Sequence, residues 1–158
     1  MQAKFYFQNE DAPKPNKPNH IGVTAILIND GKMLFERRSD CERWSLIGGG
    51  LKINETLREC FVREVAEEIG LELQAPENFV IYDDPSRIVE YPDGNVLRII
   101  TAVFVKDINV DENALRVSSE SLELRFFNFD EIKTLDIVET HRHIVKDFLD
   151  GKINTRNT

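Results

Sequence analysis

The stretch GGLKINETLRECFVREVAEEIGL, from Gly49 to Leu71, decides how the rest of the chain is interpreted. It begins within a run of glycines and continues into a helical pattern that ends at Gly70. Thr56 and Glu59 have the spacing of a capping box, and glycine is the residue most often found just beyond a helix C-terminus. The stretch therefore predicts a glycine loop followed directly by one helix.

Three carboxylates lie on one side of this predicted helix. At about 100° per residue, Glu64, Glu67 and Glu68 fall within an arc of roughly 100°. Like charges at this spacing repel each other unless a cation or solvent separates them. Hard oxygen ligands beside a loop of exposed backbone suit Mg²⁺ or Mn²⁺. Taken alone, the same pattern also fits a solvated acidic helix face.

The order of residues in the stretch narrows this choice. Nine of its positions match the Nudix box, Gx5Ex7REUxEExGU, in which U is a bulky aliphatic residue. The matching residues are Gly49, Glu55, Arg63, Glu64, Val65, Glu67, Glu68, Gly70 and Leu71. Because a chance match at nine positions is very improbable, the sequence resembles the Nudix hydrolases.

The residues before the box resemble the approach seen in that family, with two departures. Trp44, Leu46 and Gly48 agree with the usual pattern. Ile47 stands where many members have proline, and Asn54 stands where many have glycine. Asn tolerates a left-handed backbone better than most residues, and neither change removes a ligand.

The resemblance implies an α/β protein, an α/β/α sandwich with a mixed, largely antiparallel β-sheet. It implies a hydrolase that cleaves the pyrophosphate bond of a nucleoside diphosphate derivative or a nucleoside triphosphate, by attack of water at phosphorus. It also implies Mg²⁺ or Mn²⁺, held by Glu64, Glu67 and Glu68 with the carbonyls of Gly48 and Gly49. A nucleotide-sensing module without turnover is the alternative, although such members usually have damaged boxes.

Further roles follow from the resemblance. Glu55 and Arg63 are expected to hold the loop against the helix. The general base is expected to be Glu64 or Glu120, the latter placed in a loop before a late strand. Glu123 is the alternative to Glu120 as the base from this loop. Glu120 also fits an ordinary exposed loop carboxylate.

Substrate contacts are predicted at two kinds of residue. Arg37 and Arg38 end the second strand of a predicted hairpin, where a guanidinium could bind phosphate, although a solvated strand end is the favoured interpretation. Aromatic rings that could stack on a base include Tyr82 and Phe127, while most such rings fit the core. The remaining candidates are Tyr91 and Phe126. The histidines His20, His141 and His143 are predicted to be structural or surface residues, because none belongs to the motif.

Length and composition indicate one globular domain. The chain has 158 residues, of which 41% are hydrophobic and 30% charged. We divide it into an extended leader at 1–19, a Nudix domain at 20–151 and a frayed tail at 152–158. The aromatic residues 5–7 of the leader fit a disordered tail, or an edge strand on their own domain or on a second subunit, which would make a homodimer.

Residue patterns place the elements in order. A hairpin is predicted from strands 20–29 and 32–38, with further strands at 78–84, 96–105 and 123–129. A short helix is expected from Asp130 to Lys133, and a C-terminal amphipathic helix over 140–149.

Charge and hydropathy exclude some partners. The net charge is −8, which argues against binding a nucleic-acid polymer through its backbone, and a small nucleotide is the expected partner. No apolar run is long enough for a signal peptide or a membrane span. The two cysteines have no metal-type spacing, so a cytoplasmic location is expected.

Overall fold

A computed structural model describes residues 2–153. Its strands are β1 (Lys4–Tyr6), β2 (His20–Asn29), β3 (Lys32–Arg38), β4 (Trp44–Ser45), β5 (Ile47–Gly50), β6 (Val80–Tyr82), β7 (Ile88–Glu90), β8 (Val96–Ile108) and β9 (Ser121–Phe127). Its α-helices are α1 (Leu57–Ile69), α2 (Phe129–Ile132) and α3 (Glu139–Leu149). A short 3₁₀ turn at Glu112–Ala114 precedes β9.

Strand β2 lies at the centre of a mixed sheet. It pairs in parallel with β8 along its whole length, and antiparallel with β3 and β5. Strand β9 continues the sheet beyond β3. The hairpin between β2 and β3 turns at Asp30 and Gly31, whose φ angles of 53° and 73° suit a tight turn that matches strand twist. The predicted hairpin is confirmed.

Alternate residues of β2 pack against helices on opposite faces of the sheet, because successive side chains of a strand point to opposite sides. Val23 and Leu27 join Phe61 of α1 in one apolar cluster. Ile26 and Ile28 join a second cluster that contains residues of α3. This arrangement confirms the predicted α/β/α sandwich. Among residues 2–153, no helix has the length and apolar character needed to cross a bilayer.

Several element boundaries differ from the prediction. Strand β8 continues to Ile108, and β9 begins earlier, at Ser121. The short helix is capped by Asn128 and not by Asp130, since the Asn128 side chain accepts the Glu131 N–H while Glu131 reaches back to the Asn128 backbone. A reciprocal pair of this kind satisfies two backbone donors, so it determines where the helix starts.

The N-terminal residues are part of the domain and do not form a separate leader. Strand β1 pairs antiparallel with β7, and the Ala3 N–H donates to the Asp40 carbonyl at 3.1 Å. Phe5 is 6% exposed. Of the alternatives for residues 5–7, the structure shows an edge strand on its own domain. At the other end Ile153 is buried in the core, while residues 154–158 of the predicted frayed tail lie outside the described residues.

The docking of β1 can be tested with Phe5→Ala. Truncating this buried ring should lower the free energy of unfolding by about 3 kcal/mol, because apolar contacts are lost and a cavity remains. Urea denaturation followed by circular dichroism measures the change. Ile53→Ala is the control, since Ile53 is fully exposed and should change the midpoint little. Equal midpoints for both variants would show that β1 does not dock.

Candidate active site

Helix α1 begins and ends as its sequence predicts. The Thr56 side chain accepts the Glu59 N–H, Glu59 returns a bond to the Thr56 backbone, and Gly70 is left-handed with φ of 74°. These caps fix where the helix begins and ends, and its apolar residues Phe61, Val65 and Ile69 determine which side faces the sheet. Glu64 and Glu68 are 8% and 6% exposed, and thus belong to the buried side.

The glycine loop touches this buried side of α1. A Cβ atom at Gly49 would lie 2.2–2.3 Å from the carboxylate atoms of Glu64. At Gly48, an added Cβ would lie 2.1 Å from the carbonyl oxygen of Val23 on β2. Both contacts are far too short for real atoms. The loop therefore needs glycine at both positions to approach the helix and the sheet so closely.

Arg63 joins the loop to the helix through several bonds. Its guanidinium donates to both carboxylate oxygens of Glu55, at 2.5 and 2.9 Å, and to the Gly50 carbonyl at 2.9 Å. It also donates to Glu64 at 2.7 Å and to Glu67 at 3.1 Å. Hydrogen bonding to Arg63 lowers the pKa of Glu55 to about 2. These contacts are those expected for a structural Glu55–Arg63 pair.

The three carboxylates of the sequence pattern are not equivalent. The Glu67 side chain is 54% exposed and turned toward Arg63, whereas Glu64 and Glu68 are buried. Within residues 2–153, no three carboxylate, imidazole or thiolate groups converge as a ready-made cation site. Arg63 donates directly to two of the three helix carboxylates, Glu64 and Glu67.

Glu68 lies among other acidic groups. Its carboxylate accepts a bond from the Ser118 hydroxyl at 3.2 Å. Burial, with the charges of Glu36 and Glu120, raises its pKa to about 8. A carboxyl group with so high a pKa keeps its proton near neutral pH, because the protein compensates the negative charge of the ionised form poorly.

Glu36 was not found by sequence reasoning. It is 6% exposed on β3 and accepts bonds from the hydroxyls of Ser45 (3.2 Å) and Ser121. Burial raises its pKa. The signal that could have found it is the apolar run directly before it, from Met33 to Phe35, which indicates a strand buried on both faces.

These carboxylates fit a divalent cation. Burial raises the pKa of Glu64, and the charges of Glu67 and Glu120 act in the same direction. Hard oxygen donors that repel each other are stabilised when a hard cation enters between them. The donor set therefore suits Mg²⁺ or Mn²⁺.

A cavity of about 440 Å³ opens beside the glycine loop. Its acidic side is formed by residues 48–50 with Glu36 and Glu120. The side chains that line the rest of it include Phe5, His20, Arg38, Tyr91, Thr101 and His141. Strand β1, the residue that follows β7 and the start of α3 thus contribute to the same cavity as the motif.

The two arginines of β3 have different positions. Arg38 lines the cavity and forms a two-pronged ion pair with Asp40, at 2.8 and 2.7 Å, with its guanidinium carbon 5.0 Å from the centre of the Phe5 ring. Arg37 pairs with Glu123 at 3.3 Å. Of the two predicted phosphate contacts, only Arg38 belongs to the described cavity lining.

The two candidate carboxylates near the last strand, Glu120 and Glu123, lie in different surroundings. Glu120 lines the cavity and acts on the pKa of both Glu64 and Glu68. Glu123 is engaged by Arg37 and Arg125. The position of Glu120 thus agrees with the choice of this residue over its rival.

Tyr82 and Phe127, predicted as substrate contacts, are absent from the described lining of the cavity. The Tyr82 hydroxyl donates to Asp147 of α3 at 2.9 Å. Phe127 is 5% exposed and packs against Phe35 and Trp44. Both rings pack in the core cluster under α3. The order of residues in the sequence does not show whether an aromatic ring faces this core or the cavity. Tyr91 is the tyrosine that lines the cavity.

Arg87 lies beneath the floor of the cavity and is fully buried. Its guanidinium donates to the carbonyls of Tyr82, Ile99 and Thr140, and to the Thr101 hydroxyl and His143 Nε2. Burial lowers its pKa to about 10. Among the described residues this cation forms no ion pair, and nothing in the sequence singled it out.

His143 and His141 both make structural hydrogen bonds, and His141 also lines the cavity. His143 Nδ1 donates to the Glu139 carbonyl, and its ring stacks on Phe7 with centroids 3.8 Å apart. His141 Nδ1 accepts the Leu46 N–H at 3.0 Å, while the same ring lines the cavity. The expectation of structural or surface histidines thus describes His143, whereas His20 and His141 both line the cavity.

Comparison with known proteins agrees with the motif and the fold. The family model of the NUDIX domain matches residues 18–148. An ADP-ribose pyrophosphatase of Methanocaldococcus jannaschii is 30% identical over 137 residues, covering 84% of this chain and 74% of the relative. Nucleoside triphosphatase NudI of Enterobacter sp. is 29% identical over 127 residues, covering 76% and 89%.

A solved structure has the same fold. It is a bifunctional NMN adenylyltransferase/ADP ribose pyrophosphatase from Francisella tularensis, complexed with AMP and a Mn ion, with a TM-score of 0.70 and 22% identity. The match covers 87% of this chain but only 43% of that longer protein. The family match across most of the chain, together with the relative at 30% identity, shows that this protein belongs to the Nudix family.

Proposed function

We propose that this protein is a metal-dependent pyrophosphohydrolase acting on a nucleoside diphosphate derivative or a nucleoside triphosphate. The observation that carries the proposal is the pair of buried carboxylates, Glu64 and Glu68, on the helix that packs against a glycine loop, while the same loop lines a cavity together with Arg38. The relatives named as an ADP-ribose pyrophosphatase and a nucleoside triphosphatase support the same reaction class.

The residues that would hold Mg²⁺ or Mn²⁺ are Glu64 and Glu68, with Glu67 and the carbonyls of Gly48 and Gly49 as further ligands. When bound, such an ion screens the phosphate oxygens and lowers the pKa of a coordinated water. Burial and the charges of Glu36 and Glu120 raise the pKa of Glu68, and this supports the assignment because a cation would relieve the repulsion.

The protein's own groups then have separate tasks. A water oxygen forms a bond to phosphorus while the bond from that phosphorus to the bridging oxygen breaks, and the proton of the water passes to a carboxylate. Glu120 lines the cavity and is our first choice for this base, with Glu64 as the second. Arg38 offers a guanidinium to the phosphate oxygens, held in place by Asp40 and Phe5.

Glu68→Gln tests the metal assignment. Loss of one ligand charge should reduce kcat by roughly 100-fold or more. The metal-free melting temperature near pH 7 should change little, because the neutral amide replaces a carboxyl group whose pKa of about 8 keeps it mostly protonated there. Glu72→Gln is the matched control, since Glu72 is exposed just beyond α1. Normal turnover by Glu68→Gln would exclude this residue as a metal ligand.

The activity itself is tested with a substrate panel. Purified protein with Mg²⁺ or Mn²⁺ should cleave at least one compound among ADP-ribose, nucleoside triphosphates, oxidised guanine nucleotides, dinucleoside polyphosphates and nucleotide sugars. A chelator should abolish the cleavage. A compound that raises the melting temperature yet survives long incubation would instead identify a nucleotide-binding module.

Metal binding should also depend on pH in a defined direction. Because the pKa of Glu68 is raised to about 8 from an ordinary value near 4.5, the folded metal-free protein retains a proton that the unfolded chain has released. Its stability should therefore fall as pH rises through this interval. Cations compete with that proton, so the stabilisation by Mn²⁺ should grow with pH.

The measurement is the melting temperature with and without Mn²⁺ from about pH 7 to 8, where the metal-free slope is expected, and on to about pH 9, where the slope should level off. The histidines contribute little slope there, because their pKa values are lowered in the fold and unfolded histidine is already neutral above about pH 7. Glu68→Gln should flatten the metal-free profile. An unchanged slope in that variant would rule out Glu68 as the titrating group.

A further inference from the structure

His141 presents one ring nitrogen to the cavity in a fixed hydrogen-bonding state. It stands in the first turn of α3, and its Nδ1 accepts the backbone N–H of Leu46 at 3.0 Å. An imidazole nitrogen that accepts a bond has no hydrogen of its own, so in the neutral ring the hydrogen is on Nε2. Nε2 is therefore a donor.

The neutral form is the one that the surroundings favour. Burial, with the positive charges of Arg87 and Arg38, lowers the pKa of His141 well below its ordinary value. The ring is therefore not a cation. Among residues 2–153, Nε2 has no hydrogen-bond partner, although the ring lines the cavity. A donor in this position is available to a ligand.

A neighbouring guanidinium on this side of the cavity also has an unused donor, although the Asp40 carboxylate that holds it lines the cavity as well. The Nη1 group of Arg38 donates to no described residue, because Asp40 engages only Nε and Nη2. Behind the floor, the cation of Arg87 is bonded only to neutral acceptors. An uncompensated buried cation favours an anion nearby, since the low-dielectric surroundings screen it weakly.

We propose that His141 is a substrate-recognition residue whose Nε2–H donates to a phosphate oxygen of the substrate, on the α3 side of the cavity. This phosphate is distinct from the one expected at the carboxylates of α1, which packs on the opposite face of the sheet. The assignment rests on the proposed function. With one phosphate at His141 and another at the carboxylates of α1, the cavity would recognise a diphosphate group.

A structural role for His141, accepting the Leu46 N–H only, is the competing explanation. Two substitutions separate the roles. In His141→Asn, the amide oxygen can replace Nδ1 and keep the bond to Leu46, while the donor at Nε2 is lost. In His141→Gln, the amide nitrogen can replace Nε2 as the donor, while the acceptor at Nδ1 is lost.

The experiment measures binding of the non-hydrolysable adenosine 5′-(α,β-methylene)diphosphate by titration calorimetry in Mn²⁺. A hydrogen bond to a charged group is worth enough that His141→Asn should raise Kd by roughly 10-fold or more. His141→Gln should stay within about threefold of wild type. Binding of adenosine alone should be the same for all three proteins.

A second readout follows the ring directly. Long-range ¹⁵N–¹H spectra of the full chain, assigned by the two variants, should show the neutral Nε2–H form of His141 near pH 7. The Nε2 resonance should shift when the diphosphate binds. A Nδ1–H form, or an unshifted resonance at saturation, would overturn the proposal.

Other outcomes are equally decisive. Equal Kd values for wild type and His141→Asn, or loss of binding in His141→Gln alone, would leave His141 with the structural role. An equal effect on adenosine would mean that the donor contacts the nucleoside and not a phosphate. If wild type binds the diphosphate as described but hydrolyses nothing in the panel, the proposed function fails while the role of His141 stands.

Discussion

The guanidinium of Arg63 is the contact on which the motif half of the site depends. It joins Glu55, the Gly50 carbonyl and Glu64 in one network, with only 20% of its side chain exposed. Removing it would leave carboxylates without a partner at partly buried positions, which is costlier than losing an exposed ion pair. The close approach of Gly49 to Glu64 exists because this network holds the loop against α1.

The cavity has two sides of opposite electrostatic character, and the fold explains why. The glutamates of α1 come to one face of the sheet, and the residues around α3 come to the other. Arg38, from the central hairpin, stands where the two sides meet and interacts electrostatically with both Glu36 and His141. A ligand with several phosphate oxygens and a bridging cation would satisfy both sides, whereas a simple anion or a simple cation would satisfy only one.

Local signals predicted the parts of the structure that depend on local chemistry. The capping box of α1, the left-handed Gly70 and the hairpin turn at residues 29–31 all follow from neighbouring residues, and the structure has each of them. The docking of β1, the bond from Ser121 to Glu36 and the bonds from Arg87 to α3 each involve partners that are more than 50 residues apart in the chain. No short sequence pattern shows such long-range partners. The prediction of Tyr82 and Phe127 as substrate contacts suffers from the same limit, because neither is in the described lining of the cavity.

The acidic cluster shows that the site is not arranged for the stability of the metal-free chain. Glu36 and Glu68 are held close to each other in a poorly solvated position, and the pKa of each is raised by burial. Such an arrangement costs free energy of folding, which the two apolar clusters on either side of the sheet must offset. Ser45 donates a hydrogen bond to Glu36 and Ser118 donates one to Glu68, and these bonds fix the orientation of the two carboxylates. A rigid set of charges that repel each other gains more from a bound cation than a flexible set would, because the flexible set could relax without it.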